Sequence, residues 1–202
     1  MDSLLQMARD HMKKGREEEE PGHRFRHGLR TAEIAIWLAH RELIAERIDG
    51  EALRMACLFH DVGKTRGDPG DDHALEGADE SLSLLSDRAT SGQLDLIYQS
   101  IYWHNKREEA PPDIPEEARL LQDADLIDHF GATEIWLITY RVAARKGTAR
   151  DFLREYRDAT SWRRYALANL NYSSARREIR RRMRIGARFF VAFSEEMGNH
   201  YD

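Results

Sequence analysis

Four residues of types that bind metals fall on apolar faces when the chain is read at helical spacing. His27 shares a face with Thr31, Ile34 and Leu38; His60 follows Leu53, Ala56 and Cys57; His104 follows Leu94, Ile97 and Ile101; Asp125 lies one turn after Leu121. A lone inward histidine is more often a hydrogen-bonded core residue than a ligand. An inward carboxylate is harder to explain that way, because burying it is costly unless it is paired or bound to a metal. Taken together, the groups point to a divalent ion held by imidazoles and carboxylates, a donor set that suits iron, manganese or zinc. No thiolate is needed, and Cys57, the sole cysteine, is read as a core residue.

Helices must position these groups, since strand signals are scarce. Helices are expected from Ser3 to about residue 14, over 24–47, from Glu51 to a stop at Gly63, over 73–86 and over 93–104. A further helix should start after Pro115 and run on past Asp125 with a break near Gly131, and one or two more should fill 151–197. EEEEPG, TRGDPGDD and APPDIP read as connections, with Asp71 or Asp72 capping the helix that His73 begins. There is no internal repeat and no glycine-rich phosphate loop.

At 202 residues the chain is expected to form a single domain over 1–202, with a core from about 20 to 145 and a C-terminal helical extension from about 150 to 197. The 41% hydrophobic and 33% charged residues fit amphipathic helices with solvated outer faces. A net charge of -5 offers no overall attraction to nucleic acid or an anionic membrane, and neither is an expected partner. The N-terminus is unlike a secretory signal, no apolar run approaches a membrane span, and one cysteine allows no internal disulfide, so the expected location is the cytoplasm. An oligomer is compatible with this composition.

His27, the adjacent pair His60-Asp61 and the later Asp125 resemble the ordered H...HD...D signature of the HD superfamily of metal-dependent phosphohydrolases. HDVGK at 60–64 resembles the central motif, HRFRHGLR the helix of the first ligand, and LLQDADLIDHFGA the stretch of the last aspartate. The likeness spans roughly residues 20 to 140. It implies an all-α HD-domain helical bundle in which His27, His60, Asp61 and Asp125 bind a first divalent ion. In binuclear branches two further histidines hold a second ion bridged by the HD aspartate, a role that falls here to His73 and His104. Iron, manganese, magnesium, cobalt, nickel and zinc all remain candidates.

By the same resemblance the substrate is a phosphomonoester or phosphodiester of a nucleotide or another small phosphorylated metabolite. Asp61 then serves as ligand and bridge to the attacking water, and Lys64 stabilises charge on the transferring phosphoryl group. His23, Arg26, Arg30, Asn105, Lys106 and Arg107 flank the ligand positions and are candidates to bind phosphate. Asp123 and Asp128 are candidates to orient the ligand histidines, and Asp123 is also the rival of Asp125 as a ligand. Two other functions fit the same signature: a mixed-valent di-iron oxygenase, and a regulatory module that keeps the fold without turnover. The basic SARREIRRRMRIGARFFVAF could bind phosphates; the simpler reading packs Ile179, Met183, Phe190 and Phe193 on the core and pairs the arginines with acids.

Overall fold

The computed structural model describes residues 2–12, 20–65 and 72–198. Among them the chain is all-α, with no strand: α1 (Asp2–His11), α2 (His23–Arg41), α3 (Gly50–Phe59), α4 (His73–Leu85), α5 (Ser91–Trp103), α6 (Glu116–Asp128), α7 (Ala132–Ala144), α8 (Ala149–Asp158), α9 (Thr160–Ala168) and α10 (Ser173–Met197). None of these is long and apolar enough to cross a membrane. Four starts among the described residues follow side-chain chemistry, those of α3, α4, α5 and α8. Asp49 accepts the amides of Glu51 and Ala52, Asp72 that of Leu75, and Thr90 forms a capping box with Gln93. Asp71 and most of TRGDPGDD lie outside the described residues, as do parts of EEEEPG and of the C-terminal tail.

α2, α3, α5 and α6 enclose the main core, in which Leu38, Leu53, Phe59, Ile97, Ile101, Leu120, Leu121 and Ile127 are fully buried. Each such side chain contributes about 1.5–3 kcal/mol relative to exposure. Two glycines set how closely the site-bearing elements meet. A Cβ on Gly28 would lie 2.8 Å from the Leu58 carbonyl oxygen, so only glycine lets α2 press on the end of α3 one residue after His27. A Cβ on Gly63 would lie 2.3 Å from the His73 carbonyl oxygen and 2.7 Å from the Gly77 nitrogen. Gly63 is therefore no helix stop, as its sequence context suggests; it sits inside a 3-10 turn, Val62–Thr65, and admits the first turn of α4. Gly63→Ala is expected to force these backbones apart and destabilise the chain by about 1–3 kcal/mol, readable as a lower denaturant midpoint.

Two expected boundaries differ. The second helix ends at Arg41 rather than 47, because Leu43 takes a left-handed φ of 57° and the Ile44 amide returns to the Ala39 carbonyl. A leucine performs the turn usually given to glycine, and so leaves no sequence signal. The C-terminal stretch holds three helices rather than one or two, with breaks at Ala159 and at Asn169–Tyr172. The break near Gly131 occurs as expected, at a φ of 87°.

A second apolar cluster, Ile138, Val142, Phe152 and Tyr156, with Phe190 and Phe193 against it, joins α7, α8 and α10. The extension is tied to the core through Asp123, which is fully buried and accepts the amides of Asn171 and Tyr172 and the Arg107 guanidinium. Arg107 also donates to the Asn169 carbonyl. Asp123 is thus taken up by structure and is not a rival ligand. Asp123→Ala would leave Arg107 and two amides without their acceptor, and an unfolding free energy lower by about 3–5 kcal/mol is expected.

Candidate metal centre

Helix ends deliver most of the chemistry. His27 lies in the second turn of α2, His60 caps the C-terminus of α3 with Asp61 next to it, His73 opens α4, His104 caps α5, and Asp125 sits in the last turn of α6. The rings form a connected row: His27 to His60 at 5.0 Å between centroids, His60 to His104 at 5.1 Å and His104 to His73 at 5.3 Å. Ligand atoms within 4.8 Å of one another occur in four sets. These are His27 with His60 and Asp61; Asp61 with His73 and His104; His60 with His104 and Asp125; and His27 with Asp125 and His129. Asp61, 5% exposed, is common to the first two. Every metal-ligating residue expected from the sequence falls in one of these sets.

The hydrogen bonds fix which nitrogens are available. His60 Nδ1 donates to the Cys57 carbonyl at 2.8 Å and His104 Nδ1 to the Ile101 carbonyl at 2.6 Å. Since a carbonyl only accepts, each ring carries a proton on Nδ1 and turns its Nε2 inward. The Nε2 of His60 is buried and makes no hydrogen bond, 3.5 Å from Asp61 Oδ1 and 3.7 Å from Asp125 Oδ1. A buried ring nitrogen facing two carboxylates is an arrangement that a cation satisfies. The donor set therefore fits a divalent ion.

Electrostatics agree with that composition. Burial, then the neighbouring His60, push the His104 pKa down to about 3, and burial followed by Lys64 lowers that of His73. Both rings are neutral near pH 7, as ligands must be. Burial would also lower His27, but Asp125 and Asp128 on its two nitrogens outweigh it and hold it up at about 10 while the proton occupies the place of a metal. Burial opposes ionisation of Asp61, yet Lys64, His60 and His27 hold its carboxyl well below the usual range. Lys64 Nζ lies 2.7 Å from Asp61 Oδ1 and forms an ion pair with it. Burial pushes the Cys57 thiol pKa up, consistent with a core residue.

Asp128 fixes the orientation of His27. It accepts from His27 Nδ1 at 2.7 Å and from Arg30 Nε and Nη2 at 2.9 and 2.8 Å. Arg30 accordingly acts through Asp128 rather than facing the ligand row. Asp128→Asn, which keeps the shape and removes the charge, is expected to weaken metal affinity about 10–100-fold in competition with a chelator.

The other rim groups are engaged in different ways. Arg26 pairs with Glu20 and donates to the Pro21 carbonyl, Lys106 pairs with Asp72 over the Tyr102 ring, and the Asn105 amide lies 3.3 Å from His73 Nε2. His23 stacks on His27 at 5.8 Å. Two residues went unremarked in the sequence. His129, which caps α6, approaches Asp125 Oδ1 to 3.3 Å and His27 to 5.1 Å between ring centroids. Its signal was present, four residues after Asp125 and so on the same helical face. Arg24, 4% exposed, lies near enough to Lys64 to act on its charge. Beside His129, a cleft of about 290 Å³ opens between α7 and the α8–α9 pair, lined by Glu134, Arg141 and Trp162.

The HD domain profile matches residues 24–129, just over half of the chain. No curated protein sequence matches significantly. Among solved structures, an HD-superfamily hydrolase from Bacillus thuringiensis is similar with a TM-score of 0.68 at 19% identity, covering 98% of this chain and 97% of its own. Bacillus subtilis YpgQ, solved in complex with ADP, is similar with a TM-score of 0.67 at 16% identity, covering 100% of this chain and 96% of its own. A protein from Lactobacillus plantarum has a TM-score of 0.60 at 19% identity, with 98% of each chain covered. At these identities the likeness is one of fold, and it extends through the C-terminal helices beyond the HD match.

Proposed function

The chain belongs to the HD-domain family, and on that premise we propose that it is a metal-dependent phosphohydrolase acting on a phosphoester of a nucleotide or another small phosphorylated metabolite. The observation that carries this reading is the inward, unpartnered Nε2 of His60 set among Asp61, Asp125 and the neighbouring histidines. His27, His60, Asp61 and Asp125 would hold one divalent ion, and His73 and His104 a second, with Asp61 shared. Such ions supply Lewis-acid polarisation of a phosphoryl oxygen and a water acidified towards neutrality.

The protein's own groups prepare that chemistry. Lys64 keeps Asp61 ionised and adds positive charge where a phosphoryl oxygen would approach. The pair Arg30 and Asp128 holds the His27 ring in one orientation, and the carbonyls of Cys57 and Ile101 do the same for His60 and His104. His23, Asn105 and Lys106 form the rim on which phosphate oxygens would find donors. In this reading the cleft beside His129 takes the part of the substrate that does not react, so the extension over about 150–197 belongs with the core over 20–145 as one working domain. The ADP bound to the similarly folded YpgQ supports a nucleotide as the substrate class.

The test is phosphate release from a panel of nucleotides and sugar phosphates by protein loaded in turn with manganese, iron, cobalt, nickel, zinc or magnesium. Release above the metal-free control, lost in His60→Ala, is expected. No release with any ion and substrate class would reject the assignment.

A further inference from the structure

At the end of α2 remote from the metal centre, Trp37 and Arg41 face the first turns of α10 across a groove of about 560 Å³, lined also by Ser174, Arg177, Arg180 and Arg184. At about 1.5 Å per residue, Arg41 lies about 21 Å along α2 from His27. We propose that this groove is a second binding site, for a nucleoside di- or triphosphate, with arginines on the phosphates and Trp37 against the base. It stands independently of the metal-centre reading.

The first support is charge without partners. Among the described residues Arg41, Arg177, Arg180 and Arg184 form no ion pair; Arg177 donates only to the Ser173 hydroxyl, and Arg41 lies over the Trp37 ring at 5.6 Å. The groove's one acid, Glu178, is already taken up by Arg181, at 2.7 Å to each carboxylate oxygen, and by Arg182 at 2.9 Å. The expectation that the C-terminal arginines pair with acids thus holds for Arg181 and Arg182 and fails for Arg177, Arg180 and Arg184. Guanidinium forks without carboxylates are suited to phosphate oxygens.

The second support is a buried donor. Ser174 is 2% exposed and lines the groove, and its hydroxyl faces the Glu42 carboxylate, whose pKa it lowers. Glu42 also accepts the Ser174 amide at 2.8 Å, so the helix terminus itself is occupied. A hydroxyl can rotate, and this one could turn from Glu42 to a phosphate oxygen entering the groove.

Size and charge select the ligand. The volume falls in the range of small-molecule sites, about 300–1,000 Å³. The whole chain carries -5, so a long polyanion meets repulsion along most of its length, whereas a compact one feels chiefly the local guanidinium field. Trp37, 36% exposed, offers the apolar surface that a base needs and that bare phosphate does not.

The experiment is isothermal titration of the full, metal-free chain with ATP and separately with inorganic tripolyphosphate, repeated on Arg180→Ala/Arg184→Ala, Trp37→Leu and Asp61→Ala, with circular dichroism confirming each fold. Wild type and Asp61→Ala should bind both probes alike. The double arginine variant should weaken both by at least about tenfold, and Trp37→Leu should weaken ATP more than tripolyphosphate. Unchanged binding in the arginine variant, no binding by wild type, loss in Asp61→Ala, or much tighter binding of a single-stranded oligonucleotide than of ATP would each overturn the proposal.

Discussion

Asp61→Ala is expected to yield a folded protein that retains no divalent ion and releases phosphate roughly a thousandfold more slowly, or not measurably. The magnitude follows from the several kcal/mol of charge stabilisation that bound ions supply, at about 1.4 kcal/mol per decade. Asp61 is singled out because its carboxylate belongs to both the His27–His60 set and the His73–His104 set, so one substitution reaches both ions. The fold should survive, because the partner left behind, Lys64, has a side chain 36% exposed and can turn to water. Metal content and circular dichroism on one preparation check the two halves. An Asp61→Ala protein that kept its metal and its rate would remove Asp61 from the centre altogether.

His104→Asn is the second large effect, and it separates two ions from one. His104 is 3% exposed, its Nδ1 is tied to Ile101, and its Nε2 serves the sets with Asp61 and His73 and with His60 and Asp125. Asparagine fills much of the volume and limits the loss of packing, so the protein should stay folded. The expected result is one ion lost per chain and a fall in rate of about a hundredfold, several kcal/mol being shared between two ions. The His27, His60 and Asp125 ligands remain in place, so the first ion should stay bound. An unchanged rate with one ion fewer would make the first ion sufficient for turnover.

Much of the site could be read from the sequence because helical phase is a strong constraint. A histidine one turn beyond Ile97 and Ile101 has to point where they point, and His104 does. The ordering His27, His60-Asp61, Asp125 added the family resemblance, and both depend only on local spacing. What could not be read were contacts between elements. That Asp123 faces Asn171 and Tyr172, while Asp125, two residues on, faces the histidines, follows from which side of α6 meets which neighbour, and phase alone did not decide it. Arg30 likewise read as a substrate contact because nothing local shows that Asp128, 98 residues away, already occupies it. The same limit explains the C-terminal helices. Their breaks use Ala159 and the Asn169–Tyr172 segment held by Asp123, with neither glycine nor proline to mark them.

Backbone proximity was the least legible part. Gly63 read as the end of a helix because glycine often is; its actual constraint is the carbonyl of His73, a residue across a connection from it. That contact is what brings a ligand at the start of α4 to a carboxylate after α3. Leu43 shows the converse, a left-handed turn made by a residue that predicts none.

Metal content per chain, measured by mass spectrometry on protein purified without chelator or affinity-tag metal and then loaded with each candidate ion, tests the centre most directly. Two ions per wild-type chain are expected, with Asp123→Asn, a variant of the nearby structural aspartate, retaining both in its folded fraction. A wild-type chain that bound no ion under any loading condition would contradict the metal centre and the hydrolysis built on it.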